Sequence, residues 1–336
     1  PMRWRAALPA AVGPRVAKSA VADVLSSDAL VVALAGVVHL DLHAGCNVTD
    51  ELLLRLPASL RTLIVQGCSS LTARARFTHL TSLTSLDCGS ILHHIRSRVA
   101  VAGLPPSLEE LTIRSGTFGR TQARMPLAHL SRLRVLRASW SDLGADTLAS
   151  LQPGLVELDV SRCKSLTAAA AASFAHLRTL QKLRAASSGL DDATLATLPP
   201  SLVYLDTRSC HDFTPAAVLP PLPALRVLDV SMTKVGDALV ASLPAGLEEL
   251  HITQCRDVTA GATLDHVPAL RALYSMGTAL APAVVAECRA RGCAAPAAGE
   301  LRGHTSNVTA LAVLADGRLA SGDEGGEVRL WDAAAG

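Results

Sequence analysis

Residues 155–179, LVELDVSRCKSLTAAAAASFAHLRT, decide the fold, because the same plan returns along most of the chain. The next stretch, LQKLRAASSGLDDATLATLPPS at residues 180–201, repeats the plan with leucines at the corresponding positions near its start. In this register, residues 37–292 divide into eleven units of about 22–25 residues. A unit of this size cannot bury its own apolar face, but stacked units can. The pattern therefore predicts a solenoid.

Each unit predicts one short strand, a return segment and a turn. Apolar residues two apart, such as Leu158 and Val160, are typical of a half-buried strand. Apolar residues three apart, such as Leu195 and Leu198, indicate a helical or irregular return, and Pro199-Pro200-Ser201 marks a turn. Stacking places the strands side by side with the returns outside. The predicted fold is an α/β solenoid of horseshoe shape with a parallel concave sheet.

The position that ends each strand carries a small residue, and cysteine often alternates there with serine or threonine. The residues are Cys68, Ser141, Cys163, Ser188, Cys210, Thr233, Cys255 and Thr278. The Cys-x-x-Leu-Thr phrasing that begins at Cys68 and Cys163 resembles the cysteine-containing class of leucine-rich repeats, which is associated with F-box substrate adaptors and large protist proteins. The resemblance covers residues 37–292. It implies that Cys68, Cys163, Cys210, Thr233 and Cys255 have structural roles at the ends of the strands. From the fifth unit onward, the alternation predicts duplication of a two-unit block.

The last 36 residues follow a different pattern. Residues 301–336 contain the pair Gly303-His304, apolar strand-like segments and a terminal Trp331-Asp332, in an order that resembles one WD40 repeat. The resemblance implies structural roles for His304, Ser321, Trp331 and Asp332, with an internal hydrogen-bond network linking the first three. Glu324-Gly325-Gly326 stands where an Asp-Gly turn is usual.

Two interpretations of this C-terminal segment stay open. A propeller needs several blades, so we expect a truncated propeller that continues downstream. The alternative is a single blade that docks on the solenoid as a cap. Residues 293–300 are interpreted as a flexible linker. Residues 1–36 are expected to form a cap or a degenerate repeat, with a transit peptide or the tail of an F-box as alternatives.

Composition and motifs argue against nucleic-acid binding, a membrane span and catalysis. The net charge of +2 comes from interspersed acidic and basic residues, which does not predict nucleic-acid binding. The longest apolar run, residues 29–38, is too short to span a membrane. No phosphate-binding loop, metalloprotease or nucleophile-elbow motif occurs, so we expect neither an enzyme nor a cofactor or metal site. Five of the eight cysteines lie at or beside the strand-end position of the repeat, and they are better explained as buried thiols than as disulfides, which predicts a cytoplasmic location.

The concave face of the sheet is the predicted binding surface, because the side chains beside the strand leucines point away from the core. The candidate partner-binding residues are Glu157, Asp159, Lys182, Arg184, Tyr204, Asp206, Arg208, Asp229, Glu249 and His251. Mixed charge with occasional tyrosine suits a protein or peptide partner. The predicted function is a monomeric, non-catalytic interaction scaffold. The alternative is the substrate-recognition subunit of an F-box-type ubiquitin ligase with a Skp1-like adaptor.

Overall fold

A computed structural model describes most of the repeat region and part of the C-terminal segment. The described residues are 15–16, 34, 36–42, 48–68, 70–72, 74–89, 103–113, 127–141, 143–164, 166, 174–295, 308–314, 319–323 and 328–331. The described strands form two sheets, one of twelve strands and one of three. In the larger sheet the strands follow chain order and all neighbours are parallel. The predicted solenoid with a parallel sheet is confirmed.

The strands of the large sheet are short and regularly spaced. They are β1 (Arg15–Val16), β2 (His39–Asp41), β3 (Thr62–Ile64), β4 (Ser85–Asp87), β5 (Glu110–Thr112), β6 (Val135–Arg137), β7 (Glu157–Asp159), β8 (Lys182–Arg184), β9 (Tyr204–Asp206), β10 (Val227–Asp229), β11 (Glu249–His251) and β12 (Ala272–Tyr274). Each of the strands from β2 to β12 lies in a different predicted unit. Strand β1 precedes these units and pairs with β2.

The central leucine of each strand forms the spine of the core. Leu158, Leu183, Leu205 and Leu228 are register partners on successive strands, and all four are fully buried. Burying one such side chain stabilises the fold by about 1.5–3 kcal/mol before entropy is subtracted. Because every unit supplies the same residue at the same place, the core extends along the whole stack.

In the described part of the chain, short helices lie in the returns of the first, fifth, seventh, ninth and eleventh units. They are α1 (Asp50–Leu54), α2 (Ala145–Ala149), α3 (Asp192–Leu195), α4 (Asp237–Ala241) and α5 (Pro282–Ala290). Helices α2 to α5 belong to the units whose strands end in serine or threonine. By contrast, residues 211–226 and 256–271, which are the returns of two cysteine units, contain no helix. The alternation in sequence is therefore an alternation of helical and irregular returns.

A ladder of thiols and hydroxyls closes the strand ends. The Cys210 thiol donates to the carbonyl oxygen of Ala185 in the preceding unit at 3.2 Å, and the hydroxyl of Ser188 donates to the same oxygen at 2.6 Å. Cys255 and Thr233 repeat this arrangement at the carbonyl of Val230, with distances of 3.1 and 2.6 Å. In each pair, one buried carbonyl accepts from both side chains. The cysteine unit is thereby tied to the unit before it.

The same cysteine units also hold the helix of the preceding unit. The carboxylate of Asp192, the first residue of α3, accepts from the N–H of Thr214 at 3.0 Å and from its hydroxyl at 2.5 Å. Asp237 and Thr259 make the equivalent pair of bonds 45 residues later. In addition, His266 lies 3.1 Å from the carbonyl of Val240 in the last turn of α4. A cysteine unit therefore contacts both ends of the neighbouring helix.

The smaller sheet lies in the C-terminal segment and is antiparallel. Its strands are β13 (Val308–Val313), β14 (Leu319–Asp323) and β15 (Val328–Trp331), paired in chain order. A complete propeller blade has four strands. Ser321 is buried in β14, and Trp331 is the register partner of Leu319, whereas His304 and Asp332 lie outside the described residues. Within the described part of the chain, no helix has the length and apolarity needed to cross a membrane.

Candidate partner-binding face

The concave face is formed by the first and third residues of each strand. Pairing in the sheet aligns these residues into two rows. From β6 to β11 the first row is Val135, Glu157, Lys182, Tyr204, Val227 and Glu249, and the second is Arg137, Asp159, Arg184, Asp206, Asp229 and His251. The ten predicted partner-binding residues therefore belong to one continuous stretch of the sheet. Nine lie in the two rows, and Arg208 follows β9.

An ion triad braces the strands β6 to β8. Glu157 accepts from the Nε of Arg137 at 3.1 Å and from a terminal nitrogen of Arg184 at 2.8 Å. Partial burial alone would raise the pKa of Glu157, but Arg137, Lys182 and Arg184 together outweigh that effect and lower the pKa. The carboxylate stays ionised at neutral pH. It fixes the two guanidinium groups and leaves the triad with a net positive charge.

Tyr204 lies beside this triad with cations near its ring. The Lys182 nitrogen is 5.2 Å from the ring centroid and the Arg184 guanidinium carbon is 5.6 Å from it. Both distances are within the range of attraction between a cation and an aromatic face. Burial, together with the negative charge of Asp206, raises the pKa of Tyr204, so its hydroxyl remains protonated. Tyr204, Lys182 and Arg184, three of the predicted partner-binding residues, therefore lie close together.

Asp206 and Asp229 differ from the expectation, since they are buried. Only 2% of Asp206 and 8% of Asp229 is exposed, although their places in the alternation predicted exposure. The guanidinium of Arg208 covers them, at 2.9 Å from Asp206 and 3.2 Å from Asp229. Each carboxylate also accepts a backbone N–H two residues further on, from Arg208 and Ser231 respectively. These two aspartates therefore stabilise the backbone that follows their strands, and their carboxylates are not open to a partner.

The remaining predicted face residues have local partners. Asp159 accepts the backbone N–H of Ser161 at 2.9 Å, as the buried aspartates do. His251 lies 2.7 Å from Glu249 and stacks on the ring of Tyr274, with centroids 4.2 Å apart. Tyr274 is more than one third exposed, so the His251–Tyr274 stack offers aromatic surface near the end of the solenoid.

A row of left-handed residues, which the sequence did not predict, runs along the edge of the face. These residues precede the strand-end position and have φ near +60°: Trp140, Arg162, Ser187, Ser209, Met232 and Gln254, with Gly67 and Gly277 in the same row. The N–H groups of the six non-glycine residues and of Gly67 each bond to the next unit, as from Met232 to the carbonyl of Thr253 at 2.8 Å. This bond compensates for a conformation that costs an L residue about 1–2 kcal/mol. Trp140 and Met232 are more than half exposed there.

The cysteines in the described part of the chain are buried thiols. Its seven cysteines are all buried and form no disulfide; Cys46 lies outside it. Burial raises the pKa of Cys88 to about 12 and that of Cys163 to about 11, so these thiols remain protonated donors at neutral pH. Among the described residues, no three histidine, cysteine or carboxylate side chains are grouped as metal ligands. His93 and His94 lie outside the described residues.

Comparison with known proteins supports the fold. No protein-family model matches the chain, and no curated protein matches it in sequence. Among solved structures, it resembles a chain from the octameric complex of latrophilin 3 (Lec, Olf), Unc5D (Ig, Ig2, TSP1) and FLRT2 (LRR), with a TM-score of 0.51. Sequence identity is 20%, and the match covers 74% of this chain and 78% of the other. At this identity the likeness shows the fold: the chain is a solenoid of the leucine-rich-repeat type.

Proposed function

We propose that this protein is a non-catalytic scaffold that binds a protein or peptide on the concave face of its solenoid. The observation that carries the proposal is the Tyr204 ring, flanked by Lys182 and Arg184 on the parallel sheet. Aromatic and arginine side chains are the residues that most often anchor protein interfaces. Ordering them in advance reduces the entropy lost when a partner binds. The structural neighbour belongs to a multiprotein complex, which agrees with a protein partner.

The buried thiols of the described cysteines, which form no disulfide, support a non-catalytic role in a reducing compartment. Buried thiols with raised pKa values, such as that of Cys163, are poor nucleophiles. Thiols without disulfides are typical of the cytoplasm, which is the location we propose.

Selection of peptides from a random display library tests the proposed function. Selected peptides should bind the purified chain, and Tyr204→Ala should weaken their binding at least about tenfold, as loss of an interface anchor does. Arg178→Ala is the control, because Arg178 is exposed in the turn before β8 rather than in either row. Arg208→Ala is unsuitable, since it would leave Asp206 and Asp229 buried without their cation. Equal binding by the Tyr204→Ala variant would overturn the proposal.

Two finer assignments rest on the resemblances. We propose that β13 to β15 are strands of a WD40 blade, in which the buried Ser321 belongs to the internal hydrogen-bond network. The ligase-adaptor alternative agrees with the cysteine ladder, whose Cys210 and Cys255 have the buried structural role expected in that class. Copurification with a Skp1-like adaptor would favour the ligase alternative, and its absence in a reconstituted mixture would oppose it.

A further inference from the structure

Four cations are concentrated on three successive units of the concave face and its edge. Arg137, Lys182 and Arg184 lie on β6 and β8, and Arg162 lies in the loop that follows β7. The acidic side chains on these strands are Glu157 and Asp159. Glu157 is occupied by Arg137 and Arg184, and Asp159 accepts a backbone N–H. These three strands and their edge therefore carry four cations and two carboxylates, and Arg137 also lies 3.9 Å from Glu110 on β5. The positive charge that has no acidic partner among the described residues is concentrated at Arg162 and Lys182.

Aromatic rings hold two of these cations on opposite sides of β7. The Arg162 guanidinium carbon is 4.2 Å from the centroid of the Trp140 ring, which is 52% exposed. Lys182 lies over Tyr204 on the other side. A cation over a ring is restrained by it and still has nitrogens free to bond a carboxylate. Trp140, Arg162, Lys182, Arg184 and Tyr204 form a surface that we name the basic-aromatic patch.

We propose that the basic-aromatic patch binds an acidic, extended peptide segment of the partner protein. This inference rests on the proposed function and specifies its ligand. Charge complementarity supports it, because carboxylates would meet Arg162, Lys182 and Arg184 while apolar side chains contact the two rings. Neighbouring strands are about 4.8 Å apart, so crossing from β6 to β9 covers about 14 Å. An extended peptide covers that distance with about four to five residues.

Binding of synthetic peptides measured by fluorescence anisotropy tests the inference. The probe is a labelled twelve-residue peptide in which glutamate alternates with glycine or serine and one residue is tyrosine. Matched peptides carry glutamine or lysine in place of glutamate. The acidic peptide is expected to bind at least about tenfold more tightly than the glutamine peptide at low salt, and added salt should weaken its binding. Equal affinity for the acidic and glutamine peptides would overturn the inference.

A charge-reversal pair with a matched control locates the site. The double substitution Lys182→Glu/Arg162→Glu should weaken acidic-peptide binding at least about tenfold, because two attractive contacts become repulsive. Lys164→Glu/Arg178→Glu makes the same change in net charge at exposed positions outside the basic-aromatic patch and should leave binding unchanged. Circular dichroism melting confirms that both variants are folded. Equal weakening by the two variants would show general charge attraction and contradict the patch.

Two further outcomes separate this inference from the proposed function. A labelled twelve-residue oligothymidylate tests whether any polyanion suffices, and binding as tight as that of the acidic peptide would contradict a peptide site. If library peptides lose binding in the Tyr204→Ala variant but are not acidic, the scaffold function stands and the acidic preference is wrong. If the library yields no Tyr204-dependent peptide, both are contradicted.

Discussion

The aspartate–threonine pair between α4 and the following unit is expected to stabilise the solenoid by about 2 kcal/mol. Asp237 accepts from the N–H of Thr259 at 2.7 Å and from its hydroxyl at 2.5 Å. Hydrogen bonds to charged groups contribute about 1.5–3 kcal/mol, but these are solvent-exposed, so we take about 1 kcal/mol for each. Asp237→Ala should therefore cost about 2 kcal/mol, and Thr259→Ala, which keeps the N–H, about 1 kcal/mol.

A double-mutant cycle in urea unfolding measures this pair. Relative to Asp237→Ala, the double variant should lose only the bond that the Thr259 hydroxyl accepts from the N–H of Gly261 at 3.1 Å, because its bond to Asp237 is already absent. This gives a coupling of about 1 kcal/mol between Asp237 and Thr259. Asp237→Asn, which keeps a side-chain carbonyl in place of the carboxylate, should fall between the wild type and Asp237→Ala. Hydrogen exchange should locate the lost protection at residues 237–259. Additive losses, with a coupling below about 0.3 kcal/mol, would refute this account of the pair.

Three other predictions concern thiols, pH and backbone conformation. Cys88 and Cys163, whose pKa values are raised to about 12 and about 11, should react with iodoacetamide at pH 8 only as fast as the protein opens, and rapid native labelling would contradict their burial. The pKa of Glu157 is lowered by folding, so the wild type should be more stable than Glu157→Gln at neutral pH, and this difference in unfolding free energy should disappear as pH falls below about 4. A difference in chemical unfolding that does not change with pH would oppose this. Met232→Gly should raise stability by up to about 1 kcal/mol, because relief at φ 58° exceeds the entropy cost of glycine, whereas Met232→Val should lower it. Thermal unfolding distinguishes these two outcomes.

The repeat register could be predicted from the sequence because it depends on side-chain polarity alone. Leu158, Leu183 and Leu205 recur at fixed spacing, and burying them requires the strands to align as they do. The alternation of cysteine with serine or threonine predicted a two-unit block, and helical and irregular returns alternate with the same period in residues 180–292. The face residues followed from the period of two, which placed Glu157, Lys182 and Tyr204 in one row.

The contacts between units could not be predicted from that period. Asp237 and Thr259 are 22 residues apart, and only the stacking of one return on another brings them into contact. The left-handed conformation of Arg162 and Met232 arises from the bond that each N–H makes to the next unit, which residue type does not reveal. Asp206 was expected to be exposed because the alternation places its side chain on the concave face. The alternation does not reveal that the guanidinium of Arg208 covers it there.

These contacts explain why the concave face is suited to binding. The thiol ladder and the aspartate–threonine pairs fix a cysteine unit against the unit before it without using the face itself. The ion triad at Glu157 then holds Arg137 and Arg184 in place. Side chains ordered in the free protein lose less freedom when a partner binds, which favours recognition of an extended segment.

Hydrogen exchange of the chain with and without a library-selected peptide tests the central claim most directly. If the concave face binds the partner, protection should increase at β7, β8 and β9, in the segments 157–163, 182–188 and 204–210, and the helical returns 192–195 and 237–241 should be unchanged. Protection confined to those returns, with none on β7 to β9, would contradict the assignment of the concave face as the binding surface.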